Sequence, residues 1–158
     1  MNKIKESPAP SPASKESLRL WLRILKVQRM VEAELRERLR VEFDTTLPRF
    51  DVMSALYRYR DGMKMSELSR ALKVSNGNVT GIVDRLAEDG LALRVPVPGD
   101  RRAAMVRLTK RGIETFEAQA AAHEVWVHEA LGGLEGEESA MVARMLDHAL
   151  TEGDDDAE

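Results

Sequence analysis

Two clusters of side chains have the types and spacing to hold phosphates and to read the edges of stacked bases. The first runs Ser75-Asn76-Gly77-Asn78-Val79-Thr80-Gly81 and ends at Arg85. The amide of Asn78 and the hydroxyl of Thr80 suit hydrogen bonds to base edges, while backbone amides near Ser75, Asn76 and Gly77 suit a phosphate. The second is Asp100-Arg101-Arg102, directly after Pro98 and Gly99. Asp100 is placed to bond back to the turn and orient one guanidinium, which then fits a phosphate or a narrow minor groove. This is non-covalent chemistry. The chain has no cysteine, which excludes disulfides, thiolate metal sites and cysteine-based oxidation sensing. His123 and His128 lie five apart, whereas a spacing of four aligns two ligands on one helix face. No glycine-rich phosphate loop, nucleophile elbow or His-Glu-x-x-His motif occurs. The sequence predicts no enzyme, no metal and no cofactor.

The elements that position these residues are legible in the apolar spacing. In 65–72, Leu68 and Leu72 stack on one helical face, with Ser66 or the residues just before it as the cap. A second helix follows Ser75, a favoured N-cap, and Val79, Ile82, Val83 and Leu86 form its apolar stripe. Gly77, Gly81, Asp84 and Arg85 fall on the opposite face, flanked by Asn78 and Thr80. A glycine in an exposed helix costs about 1 kcal/mol relative to alanine, and close approach to another surface, most simply the major groove, explains two of them. After Gly90, Leu91, Leu93 and Val95 alternate, as do Ala104, Val106 and Leu108, with Pro96, Pro98 and Gly99 breaking the run. Two short helices followed by a basic hairpin make a winged helix-turn-helix. The expected fold is mainly α, and α+β only through the small wing; the expected partner is double-stranded DNA.

A chain of 158 residues suits one domain. Charged residues make up 32% and aromatics 4%, which favours helix, and the net charge of −3 taken alone opposes nucleic acid. The charge is uneven, however: 94–111 holds Arg94, Arg101, Arg102, Arg107, Lys110 and Arg111 against Asp100 alone. Local potential governs phosphate contact. Residues 1–16, rich in Pro, Ser, Ala and Lys, read as a disordered arm, and 151–158 as an acidic tail. No apolar run is long enough for a signal peptide or a membrane span, so a cytoplasmic protein is expected. A long helix over 17–41 carries Leu18, Trp21, Leu22 and Leu25 on more sides than one core contact requires. Thr109 caps a helix to about 131, and a last helix covers 138–150, its start carried by Glu137 and Glu138. A partner subunit is the expected cover, giving a homodimer built by 17–41 and 110–150 around a DNA-binding lobe at 49–109.

Val-Asp-Arg-Leu-Ala-Glu-Asp-Gly-Leu (83–91) and Gly-Asp-Arg-Arg-Ala-Ala-Met-Val-Arg-Leu-Thr-Lys-Arg-Gly (99–112) resemble the MarR family of transcriptional regulators. The resemblance covers roughly 17–150, and the Asp-x-Arg wing before Val-x-Leu-Thr-x-x-Gly is its most specific part. It implies a dimeric winged-helix protein on an imperfectly palindromic operator, with 76–85 as recognition helix and Asp100 with Arg102 as the wing pair. Arg101 is then an extra basic residue for phosphate.

Arginines point to an effector. Arg29, Arg36 and Arg40 share one face of the first helix, and Arg38 and Arg49 lie close by in sequence. Glu32–Arg36 and Glu34–Arg38 have favourable four-residue spacing, whereas Arg40 and Arg49 lack such partners. The run 35–52, with 65–81, is similar to the repressors of hydroxycinnamate degradation, the CouR-like and FerC-like members. That similarity implies a repressor of aromatic-acid catabolic genes released by an aromatic acyl-CoA thioester such as p-coumaroyl-CoA. Trp21, Leu25, Phe50 and Met53 would form the apolar pocket, and Arg36, Arg38, Arg40 or Arg49 the phosphate contacts. Two alternatives stay open: a regulator answering to a free phenolic acid or drug, and an effector-independent architectural DNA-binding protein.

Overall fold

The computed structural model describes residues 9–72 and 76–155. The chain runs α1 (Pro12–Phe43), α2 (Leu47–Arg58), β1 (Met63–Lys64), α3 (Met65–Leu72), α4 (Asn76–Glu88), β2 (Ala92–Val97), β3 (Asp100–Leu108), α5 (Lys110–Ala130) and α6 (Gly136–Asp155). It is mostly helical, with one small antiparallel sheet in the order β1-β3-β2.

Capping chemistry sets most helix ends. Ser11 accepts from the Ser14 amide while the Ser14 hydroxyl accepts from the Ser11 amide, and Pro12 opens the first turn. This reciprocal cap starts α1 before residue 17, inside the segment read as a disordered arm. Thr46 accepts from the Arg49 amide to start α2, and Thr109 accepts from Gly112 to start α5. At α3 the Glu67 carboxylate accepts from the Lys64 amide, which places the start at the residues just before Ser66, the second of the two expected positions. The α4 helix stops in a Schellman turn: Gly90, at φ 73°, donates to Ala87, and Leu91 donates to Leu86.

That turn explains why the alternation in β2 differs from expectation. Leu91 is buried as the closing apolar residue of the helix turn, so the strand's own phase begins at Ala92, which is buried, and Leu93 faces out. In β3, Val106 and Leu108 do point inward. The strand β2 runs on through Pro96 and Val97, and only Pro98-Gly99 makes the turn, with Gly99 at φ 81°. The two-residue strand β1 was not anticipated; it pairs Met63 with Val106 and Lys64 with Met105.

The core gathers Leu35 and Leu39 of α1 with Phe50, Met53 and Leu56 of α2, Leu68 of α3, and Val79, Val83 and Leu86 of α4, closed by Val106, Phe116 and Trp126. A side chain such as Leu39, fully enclosed, contributes about 1.5–3 kcal/mol by leaving water. The N-terminal half of α1 takes no part in this core: Leu18, Leu20, Trp21 and Leu22 are all exposed. No helix among the described residues is long and apolar enough to cross a membrane.

His123 of α5 stacks on Phe50, with ring centroids 4.5 Å apart and planes 18° from parallel. Burial pushes its imidazole below the ordinary histidine value. The folded chain therefore favours neutral His123 while the unfolded chain protonates normally, so this stability is complete above the ordinary range and lost as pH falls through it. The melting temperature should drop as pH falls from about 7.5 to about 5.5. His123→Phe, which keeps the stack, should flatten that drop; an unchanged pH slope would assign the effect to other groups.

Candidate nucleic-acid interface

Burial fixes how α4 is turned. Val79, Val83 and Leu86 are enclosed in the core, which leaves Gly77, Asn78, Thr80, Gly81, Asp84 and Arg85 on the outer face. Asn76 opens the helix, and Ser75 lies outside the described residues. A Cβ added at Gly77 or Gly81 would meet nothing within 4 Å. Nothing in the described chain requires glycine at either position. A stripe of bare backbone beside an amide, a hydroxyl and a guanidinium is suited to a surface that comes from outside.

The wing stands next to this face. Asp100 accepts from the Arg102 backbone amide at 3.0 Å, which shapes the tip but leaves the guanidinium groups to solvent rather than orienting one of them. Arg101 and Arg102 are exposed, and no carboxylate among the described residues engages them or Arg85. Arg94 of β2 bonds Asp84 of α4, which ties the hairpin to that helix. A groove of about 480 Å³ runs between α3, α4 and the wing, lined by Lys64, Ser66, Thr80, Arg94 and Arg102 among others. Lys64 and Ser66 are additions to the expected reading surface. They sit on or beside a two-residue strand, which carries no periodic signal, and only the pairing with β3 brings them beside Arg102.

The arginines of the expected effector site are engaged. Arg36 donates to Glu32 at 3.2 Å. Arg38 donates to Glu34 at 2.6 Å and to Glu129 of α5 at 2.7 Å, and lies over the Trp126 ring. These bonds hold the Arg38 guanidinium still more firmly protonated. Arg40 and Arg49, expected to lack partners of that four-residue spacing, are paired by other routes: Arg40 bonds Glu37 at 2.7 Å and holds its carboxyl below the usual range, and Arg49 bonds Asp89 at 2.6 Å. A spacing of three on the helix, and a contact across the fold, supply what a search at spacing four overlooked.

The four apolar residues of that site are divided. Phe50 and Met53 pack inside the core, whereas Trp21 and Leu25 lie outside it, on the N-terminal half of α1. A different cleft, of about 670 Å³, opens between α1, α2 and α4, lined by Arg36, Thr46, Pro48, Asp51, Val52, Leu72, Asn78 and Ile82. Arg49 instead lines an adjoining notch of about 260 Å³ with Thr46, Gly77, Asn78, Gly81, Ile82 and Arg85. Thr46, Asn78 and Ile82 are common to both.

The MarR family model matches residues 45–104, which run from the start of α2 into the second strand of the wing. The transcriptional activatory protein BadR of Rhodopseudomonas palustris is 34% identical over 104 residues, covering 65% of this chain and 59% of BadR. That match thus spans less than two thirds of the relative's length. The crystal structure of a MarR family transcriptional regulator from Silicibacter pomeroyi superposes with a TM-score of 0.75 at 33% identity, covering 90% of this chain and 99% of that one. A mutant MarR from E. coli complexed with operator DNA gives 0.73 at 27% identity, over 89% of this chain and 99% of that one. At 33% identity over 99% of the Silicibacter pomeroyi chain, this chain belongs to the MarR family, whose members are transcriptional regulators and not enzymes.

Proposed function

We propose that the protein is a homodimeric repressor that binds an imperfectly palindromic operator and is released by an aromatic effector. The supporting observation is Asn78. It stands on the outer face of α4, suited to a base edge, and it also forms part of the wall of the cleft that holds Arg36 and Asp51. A ligand in that cleft that shifts Asn78 favours an arrangement of α4 other than the one bound to the operator, which is the differential affinity that release requires.

On DNA, two copies of α4 enter successive major grooves with half-site centres about 10 bp apart. Footprinting should show dyad symmetry, and a protected site without it would contradict the dimer. Arg102→Ala should lower the salt slope of binding by about one unit, the mark of one lost phosphate contact. Asn78→Ala should relax sequence preference, by about 1–3 kcal/mol at one base pair, with little change in slope. If both variants bind as the parent does, the reading surface lies elsewhere. Deleting the gene should raise transcription from the operator; a fall would make the protein an activator, as BadR is named.

The effector reading taken from the sequence is an aromatic acyl-CoA from hydroxycinnamate breakdown. A second reading, a small aromatic molecule without the CoA tail, is favoured by one observation: Arg36, Arg38, Arg40 and Arg49 each already face a carboxylate of the same chain. A CoA tail would have to displace those carboxylates. Release by p-coumaroyl-CoA, compared with the same acyl group on a short phosphate-free thioester, separates the two. Equal release by both removes the tail from the recognition.

A further inference from the structure

The notch between the start of α2 and the outer face of α4 holds more positive charge than its own chain answers. Arg49 of α2 and Arg85 of α4 both line it, and no acidic residue does. Asp89, the residue after α4, accepts from Arg49 at 2.6 Å and stays exposed itself. Arg85 is engaged by no carboxylate among the described residues. Two guanidinium groups are therefore answered by one carboxylate, at the edge. The Arg49 side chain is held in place: 19% of it is exposed, and its Nε is enclosed with no acceptor. Gly77 and Gly81 also line the notch, and a Cβ at either would meet nothing within 4 Å, so a group from outside can reach the helix surface there. The fork of a guanidinium matches the oxygens of a phosphate. Its five N–H donors let Arg49 keep Asp89 and still donate to a second acceptor.

We infer that Arg49 and Arg85 together clamp one phosphate of the operator backbone between α2 and α4, and that Asp89 weakens this clamp. The inference rests on the reading of the outer face of α4 as the DNA-binding face, and it moves Arg49 from the effector to the operator. The clamp is separate from the groove that holds Arg102, which lies between α3, α4 and the wing. The phosphate enters beside Gly77 and Gly81 and accepts from both guanidinium groups. The Asp89 carboxylate stands next to it, and like charge opposes it. A phosphate contact carries no sequence information, so clamp and Asp89 both act on all duplex DNA alike.

The full-length protein is titrated with operator DNA and with unrelated DNA of the same length over a series of salt concentrations. Arg49→Gln should weaken binding to both by about tenfold and lower the salt slope by about one unit. Asp89→Asn removes a charge but keeps an acceptor for Arg49, and should tighten binding to both by about threefold. A merely structural Arg49–Asp89 bond predicts loss of affinity from both variants, whereas the clamp predicts opposite signs. Asp89 is exposed, so its variant keeps the test open even if Arg49→Gln does not fold. If Arg102→Ala lowers the salt slope and Arg49→Gln does not, or if Asp89→Asn weakens binding, the clamp is overturned and the DNA-binding face stands. If none of the three variants changes DNA binding, the reading of that face fails with it. Inorganic phosphate bound by the parent and not by Arg49→Gln, at equal operator affinity, would also overturn the clamp and make the notch a site for a free anion.

Discussion

Gly112→Ala should lower the stability of the protein by about 3 kcal/mol or more, the upper range for overpacking against groups that do not yield. A Cβ at position 112 would lie 2.0 Å from the Leu91 carbonyl oxygen and 2.9 Å from its carbonyl carbon. Both are backbone atoms, so no rotamer change relieves the contact. The Leu91 carbonyl also accepts the Thr109 amide at 3.0 Å, and the Thr109 hydroxyl donates to the Gly90 carbonyl at 2.7 Å. Moving the loop away from α5 breaks these bonds at the point where α5, the base of the hairpin and the end of α4 meet. For a chain of this size, about 3 kcal/mol corresponds to a fall in melting temperature of roughly 6–12 °C. Gly81→Ala is the contrasting variant: with open space around it and better helix propensity, it should melt at or slightly above the parent temperature. Its cost should appear in operator affinity, through the added methyl on the face proposed to meet DNA. If Gly112→Ala melted with the parent, the close packing of α5 on the loop after α4 would be refuted.

Leu146→Glu should give a folded monomer that binds operator DNA about 10²–10⁴-fold more weakly, the loss expected when two linked half-sites become one. The reasoning starts from the apolar faces left in water. On α6, Met141, Val142, Met145, Leu146 and Leu150 are exposed, and no other element among the described residues packs broadly on this helix. Leu146 borders an apolar groove of about 480 Å³ with Leu20, Ile24 and Val27 of α1 and Leu134 of the α5–α6 turn. A soluble chain seldom leaves so much contiguous apolar surface uncovered, and a second copy, which brings the same helices, covers it symmetrically. A glutamate there must be buried unpaired in the dimer but is solvated in the monomer. Sedimentation should report half the parent mass, with an unchanged helical circular dichroism spectrum. A Leu146→Glu protein that stayed dimeric with parental affinity would move the interface to other surfaces.

Local chemistry is what a sequence carries openly. The outer face of α4 follows from the spacing of Val79, Ile82, Val83 and Leu86, because a helix of period 3.6 leaves no choice about what lies opposite. The start of α5 at Thr109, the Glu32–Arg36 and Glu34–Arg38 pairs and the turn at Pro98-Gly99 are of the same kind, since each partner lies within four residues of the other. Family membership was legible for the same reason: the helix, turn and wing signals all fall within one short continuous stretch.

Tertiary structure decided whatever depends on residues distant in the chain. Arg49 and Asp89 are 40 residues apart, and Arg38 and Glu129 are 91 apart, so no period links them. Lys64 joins the wing through a strand of two residues, too short to show alternation. Leu93 faces out because the Schellman turn before it takes Leu91 for its own closure and resets the phase of the strand. Phe50 and Met53 are apolar whether they line a pocket or fill a core, and that difference is set by which helices close over them. Composition and spacing determined which face of α4 is left outside the core. The packing of α1, α2 and α4 decided which arginine borders a cleft, and that Asp51 shares it, because a cavity belongs to surfaces that meet only after the chain has folded.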